Sequence, residues 1–335
     1  MKVGKNCLAL ALAAALCPVL AEAQNLFVSD FSSGNIYEFT PAGTRNTFAS
    51  GLSYPQGLAF DSAGNLFEAD RSGNIYKFTP GGVRSTFASG LNIPQVLAFD
   101  SAGNLFEADS GGHIYKFTPG GTRSTFASAS GLSDPSGLAF DSAGNLFATD
   151  NDIFGIYKFT PSGTRSTFSS AVSYPAGLAF DSAGNLFEAD AGSGKIYEFG
   201  PGGTRGTFAS GLNTPVGLAF NSAGNLFEAD YGSGNIYEFT QDGTRSTFAS
   251  GLSSSEFLAF QSTPPTLGQT KKSSAQFQFV VLGSAGQNYT VQVCTNLGSA
   301  NWQSMFVTNA PVILFPITDS NATNAACYYR ILLGP

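Results

Sequence analysis

Six copies of the pattern Asn-Leu-Phe-x-x-Asp end at Asp30, Asp70, Asp109, Asp150, Asp190 and Asp230, at spacings of 40, 39, 41, 40 and 40 residues. A period of this length, built only from short strand-like runs, has few structural solutions. One copy is too small to bury a core, and copies set side by side around an axis form the blades of a propeller. In the second copy the runs are GLAF (57–60), NLFEAD (65–70), NIYKFT (74–79) and VRSTFAS (83–89). Asp61-Ser62-Ala63-Gly64 separates the first two and Pro80-Gly81-Gly82 the last two, both with the residues tight turns demand. A proline (Pro55, Pro94, Pro135, Pro175, Pro215) opens each new first strand, where its missing N–H does no harm. Four antiparallel strands in a simple meander make one blade.

The ends of the array carry the argument for closure. The first copy starts at Asn25 without a GLAF run, and a spare Phe257-Leu258-Ala259-Phe260 follows the sixth. If 257–260 completes the first copy, six blades close into a ring and no sheet edge is left for aggregation. The expected fold is therefore all-β, a six-bladed propeller over 25–260. The Pro/Ser/Thr-rich stretch 261–275 reads as a linker. Alternating strand-like runs over 276–335 read as a small β-sandwich-like domain.

The sequence before the repeats reads as a secretory signal over 1–23. Lys2 and Lys5 precede an apolar run, and Ala21-Glu22-Ala23 offers a cleavage site. That run is too short to span a bilayer, so the expected product is exported and monomeric: secreted, at the cell surface or periplasmic. Removal of the signal takes Cys7 and Cys17, leaving Cys294 and Cys327, which an oxidising compartment allows to pair. Charged residues are only 12% of the chain, against ~25% in ordinary globular proteins. A net charge of −7 argues against a nucleic-acid partner, which needs clustered Lys and Arg.

The run GNLFEADYGSGNIYEF (224–239) resembles the NHL repeat and, more broadly, the six-bladed propellers of the gluconolactonase and streptogramin-lyase type. The likeness extends over the whole array and implies the fold; such propellers include sensors, binders and enzymes. The layout YTVQVCTNLGSANW…ACYYRILLGP resembles C-terminal modules appended to exported bacterial proteins.

Because the copies are nearly identical, their differences locate the positions free to vary. Variation gathers beside the proline of each first strand and in the turn after NLFxxD. In a four-stranded meander these two connections lie at the same end of the blade, so they share one face of the disc. Loops on a rigid scaffold are where ligands are read, which makes Tyr54, Gln56, Gln95, Asp134, Phe154, Tyr174 and Tyr231 the candidate ligand-binding residues. A second candidate set is Glu68, Glu107, Glu188 and Glu228, replaced by Val28 and Ala148 in the other two copies. Four acids converging near a channel can hold a hard cation, Ca²⁺ or another divalent ion, and gluconolactonase-like propellers do bind a metal in the channel; the alternative is that these glutamates sit on outward or inter-blade faces, paired with Arg or Lys. The six aspartates of NLFxxD read as structural acceptors of turn N–H groups. The recurring arginines of the fourth strand read as partners of nearby acids or as braces of the blade edge, and the phenylalanines as packing between blades.

No catalytic residue is assigned. His113 is the only histidine, which leaves no His-rich zinc site and no ready Ser–His–acid triad. The expected function is recognition of a protein or glycan ligand through the variable face. The alternatives are a metal-dependent hydrolase of lactones or sugar derivatives, and a purely structural surface protein.

Overall fold

The computed structural model describes residues 24–127 and 131–261, and beyond them the backbone of six strands between 266 and 333. The signal reading over 1–23 and the side chains of Cys294 and Cys327 lie outside the described residues. Six four-stranded antiparallel sheets account for the repeat region, one per blade. In the second blade the strands are Pro55–Phe60, Leu66–Asp70, Asn74–Phe78 and Arg84–Ser89, from the channel outward. Burial follows that order: every residue of Leu66–Asp70 is buried, whereas Arg84 to Thr86 are exposed.

Closure is as the sequence requires. The strand Ser255–Phe260 pairs antiparallel with Leu26–Asp30, matching Leu26 to Phe260, Phe27 to Ala259 and Val28 to Leu258. It begins two residues earlier than the FLAF motif, with Ser255 at the place of the usual proline. The innermost strands then touch their neighbours all the way round. Four of them carry a glycine that makes this approach possible: a Cβ on Gly217 would stand 2.2 Å from the Glu256 carbonyl oxygen.

Blades adhere through a repeated aromatic step. Phe67 meets Phe87 of its own blade at 5.0 Å and Phe99 of the next blade at 5.1 Å, both edge-on. The same step seals the ring between Phe227 and Phe260, at 4.9 Å. Edge-to-face pairs contribute ~0.5–1.5 kcal/mol beyond the area they bury. The fourth-strand arginines brace the blade edge: Arg45 donates to the Gly251 carbonyl of the adjoining loop at 3.1 Å and Arg245 to that of Gly211 at 3.2 Å. Arg84 lies over the Tyr76 ring at 5.1 Å, and Arg123, Arg165 and Arg245 repeat the arrangement over Tyr115, Tyr157 and Tyr237. The lysines of the third strand make the ion pairs instead, Lys77 with Asp61 at 3.4 Å being one. The third strand brings the lysine tip to the DSAGN turn, while the outer strand puts the guanidinium flat on a tyrosine.

Beyond residue 261 two three-stranded antiparallel sheets are present, in the orders Thr266–Ser273, Gln276–Leu282, Leu314–Asp319 and Gln303–Asn309, Asn288–Cys294, Tyr328–Leu333. Thr266–Ser273 occupies much of the range read as linker. The strand starts just past the breaker Pro264-Pro265 and pairs back onto Gln276–Leu282. No helix among the described residues is long and apolar enough to cross a membrane.

The weight of the closing strand is open to a direct measurement. A chain ending at Gln261 should keep one cooperative thermal transition and run as a compact species on size exclusion. A chain ending at Ser253 exposes the edge of Leu26–Asp30 and should aggregate or lose that transition; equal behaviour of the two would remove the role assigned to the strand.

Candidate functional site

The two variable connections meet at one end of the channel because one carboxylate holds both. Asp70, the last residue of its strand, accepts the Ser53 N–H of the incoming loop on Oδ2 (2.7 Å) and the Ser72 N–H of its own turn on Oδ1 (2.9 Å). Asp230 does the same with Asn213 (2.7 Å) and Ser233 (3.0 Å), and Asp30 with Ser253 (2.8 Å) and Ser33 (3.0 Å). These side chains are buried, so each fixes a pair of loops at a defined height above the channel. The structural reading of the six aspartates holds. His113 belongs to this system: in the third blade its N–H and Nδ1 both approach Asp109 Oδ1, at 3.0 and 3.2 Å.

Held in this way, the loops surround a cavity of about 410 Å³ at the channel mouth. Gln56, Gln95, Asp134, Tyr174 and Tyr231 line it, five of the seven variable-face candidates. The other two stand outside. Tyr54 is 54% exposed and packs on Phe31 at 4.8 Å; Phe154 is 39% exposed and meets Tyr174 edge-on at 4.9 Å. Tyr54, Ile93, Tyr174 and Thr214, each preceding a proline, have φ of 55, 52, 56 and 62°. Left-handed backbone at a bulky residue costs about 1–3 kcal/mol and persists only where the surroundings enforce it. The paired hydrogen bonds to the aspartates supply that enforcement.

The first residue after each proline, or after Ser255, faces the throat: Glu256, Gln56, Gln95, Ser136, Ala176 and Val216, in order round the ring. The throat thus has a polar arc over four blades and an apolar arc over two. Within the polar arc, Gln95 Nε2 donates to Asp134 Oδ1 at 2.8 Å, and Ser136 Oγ donates to the Pro175 carbonyl at 2.6 Å. The Gln56 side chain lies beside Glu256. Burial pushes the Glu256 carboxyl up to about 7, with Arg71 and Gln56 pulling the other way. The Oε1 atoms of Gln56 and Gln95 are buried without a hydrogen-bond partner. Glu256 is the equivalent of Gln56 and Gln95 in the degenerate closing copy, where SSSEFLAF replaces the proline-led strand, and comparison of the copies places it among the variable positions, although not among the candidate ligand-binding residues.

The four glutamates go elsewhere. Along Leu66–Asp70, Leu66 and Glu68 point one way and Phe67 and Ala69 the other. The Leu66 side packs against Phe27 and Ile36 of the preceding blade, so Glu68 lies between two blades and not in the channel. Glu107, Glu188 and Glu228 occupy the matching places in three other interfaces. All four are fully buried, and none of their carboxyl oxygens has a hydrogen-bond partner among the described residues. Burial drives each of these pKa values well above the ordinary range, Glu107 to about 9, with the neighbouring aspartate adding to the effect. Burial thus favours the protonated form of each. The structure does not bring them to one point, and among the described residues no group of three or more His, Cys, Asp or Glu side chains is arranged to hold a metal ion.

No family model matches the chain, and no curated protein matches it. Solved structures do. The propeller of a nidogen/laminin complex superimposes with a TM-score of 0.65 at 22% identity, covering 71% of this chain and 98% of that one. A streptogramin B lyase gives 0.52 at 18% identity, covering 76% and 80%. A gluconolactonase of Xanthomonas campestris gives 0.55 at 17%, covering 79% and 93%. The likeness is one of fold. It places the chain among six-bladed propellers whose known members include a partner in a protein complex, a lyase and a gluconolactonase.

The buried glutamates make stability depend on pH with a definite sign. Their folded pKa values are raised, so the stability they allow is full below about 4.5 and is lost as pH climbs towards the folded value, about 9 for Glu107. Each carboxyl contributes a slope of order 1 kcal/mol per pH unit in that window. Thermal unfolding followed from pH 5 to 9 should show a falling midpoint. Glu107→Gln should flatten the fall, its advantage over wild type growing with pH; parallel curves for the two proteins would refute the assignment.

Proposed function

We propose that this protein is an exported binding module that recognises a protein or glycan ligand on the face bearing the variable loops. The observation that carries this reading is where exposed large hydrophobic side chains fall. Among the described residues they are Tyr54, Val83, Ile153, Phe154, Tyr174 and Tyr231, and all except Val83 sit on the loops round the channel mouth. Exposed aromatic groups on a rigid, preformed surface are the usual anchors of recognition. The opposite face is built from the repeated DSAGN and TPGGT turns, alike from blade to blade. Fold neighbours that include a protein-binding propeller agree with a recognition role, as does a mouth with polar and apolar arcs.

The test is co-sedimentation of the purified chain with intact cells of the producing organism. A variant combining Tyr54→Ala, Tyr174→Ala and Tyr231→Ala should lose at least about 90% of the bound fraction, since each aromatic anchor is a hot-spot candidate worth ~1–2 kcal/mol. Val83→Ser, on the other face, should leave it unchanged. Equal retention of both variants would sink the assignment of the face.

A further inference from the structure

The sequence repeats over three blades as well as over one. The blades, numbered from the one that holds Leu26–Asp30, follow one another round the ring, so the first and fourth stand opposite. Only these two lack the buried glutamate, and both replace the following alanine by a hydroxyl: Val28-Ser29 and Ala148-Thr149. The loops that leave them carry the same triplet, Ser53-Tyr54-Pro55 and Ser173-Tyr174-Pro175. The loops leaving the second and fifth blades match as Leu91-Asn92-Ile93-Pro94 and Leu212-Asn213-Thr214-Pro215. A pseudo-twofold axis thus runs down the channel, within the sixfold repeat.

Its result on the variable face is two aromatic platforms on opposite sides of the mouth. Tyr54 stands on Phe31 and Tyr174 on Phe154, at 4.8 and 4.9 Å. The tyrosines are 54% and 52% exposed and share a left-handed backbone. The two phenylalanines come from different positions in their turns, so the pairs agree in outcome and not in aligned residues. Between the platforms lies the polar arc, with a surplus of acceptors. Gln95 directs its amide N–H to Asp134 and Gln56 lies beside Glu256, and neither amide oxygen has a hydrogen-bond partner among the described residues. Gln56 is 92% buried by its 8% exposure and lines the cavity.

Resting on the binding reading above, we propose that this face takes a linear, uncharged polysaccharide laid across the channel mouth from the Tyr54 platform to the Tyr174 platform. A pyranose ring has an apolar C–H face that suits a tyrosine ring and hydroxyls that donate to amide and carboxylate oxygens. A repeating chain presents the same unit to two like platforms, as the duplicated loops require. An anionic polysaccharide would meet the carboxylates of Asp134 and Glu256, with Arg71 beside Glu256. A basic peptide also satisfies acceptors, but the acidic groups lie in one arc and give it no reason to engage both platforms.

Isothermal calorimetry with cellohexaose, chitohexaose and mannohexaose, their trisaccharides and a hexalysine peptide tests this. At least one hexasaccharide should bind, with its trisaccharide at least about ten-fold weaker because it reaches one platform only. Tyr54→Ala and Tyr174→Ala should each weaken the hexasaccharide about ten-fold and by similar factors, while Tyr54→Phe and Tyr174→Phe, which keep the ring, should stay within about three-fold of wild type. Binding of none of the hexasaccharides, equal affinity for trimer and hexamer, or binding of hexalysine alone would overturn the proposal. Loss of cell binding in the rim variants without saccharide binding would remove the glycan and keep the face. Saccharide binding that ignores every rim substitution would remove the face itself.

Discussion

A buried carboxylate at the end of each second strand is the interaction on which the rest of this molecule depends. In most blades it accepts one N–H from the turn that follows and one from the loop arriving from the preceding blade, so two separate loops are fixed by one side chain. A charged acceptor makes stronger bonds than a neutral one, and leaving such a group unpaired in the interior is expensive. That cost keeps the aspartate at all six positions. It also releases its neighbours: once the ends of a loop are fixed, the residues between them can differ without disturbing the blade. Rigid ends and free middles are what a recognition surface requires.

The blade interfaces show the opposite economy. Phenylalanines meet edge to face at a nearly constant 5 Å round the ring, and each interface depends on its neighbour because a ring closes only if every angle is right. Into four of the interfaces the sequence inserts a glutamate with no partner. A neutral acid there still forfeits its hydrogen bonds to water, ~1–3 kcal/mol by mutational measure. The first and fourth blades avoid that cost with Val28 and Ala148. In the fourth, the adjacent hydroxyl of Thr149 donates to the Ala176 carbonyl of the next blade at 2.6 Å, which shows that a satisfied polar contact between blades is available to this scaffold. The retained glutamates therefore do not follow from packing alone.

Most of the architecture was legible in the chain because a 40-residue period, turn residues at fixed offsets and a missing first strand are local signals that all point to the same ring. The face shared by Tyr174, Asp134 and Tyr231 was legible for the same reason: meander connectivity fixes which loops lie together. The place of Glu68 was only half legible, as channel or inter-blade face. Its alternation is plain in the sequence, yet whether that side of the strand looks to the channel or to the preceding blade depends on how the blade is turned about the axis, which no single copy specifies. Glu256 was legible as a variable position of the decayed closing copy, but its burial beside Gln56 and Arg71 depends on how the closing strand seats in the ring. Thr266–Ser273 was read as linker from Pro264-Pro265, although a strand can begin directly after a proline pair when a partner waits a turn away.

The mouth breaks both symmetries that the scaffold sets up. The sixfold repeat gives six equivalent positions after the loop, and the twofold relation would make Gln56 match Ala176 and Gln95 match Val216. Instead the amides occupy one half and the apolar residues the other. On the proposed binding reading, a symmetric rim over an asymmetric throat would divide the labour of recognition. Two like platforms can hold a repeating chain in either direction, since they present the same ring to both ends. The throat cannot, because turning the chain end for end would set its donors against Ala176 and Val216 and leave the acceptors of Gln56 and Gln95 unmet. Affinity would then reside in the tyrosines and direction in the amides, and the two could be altered independently.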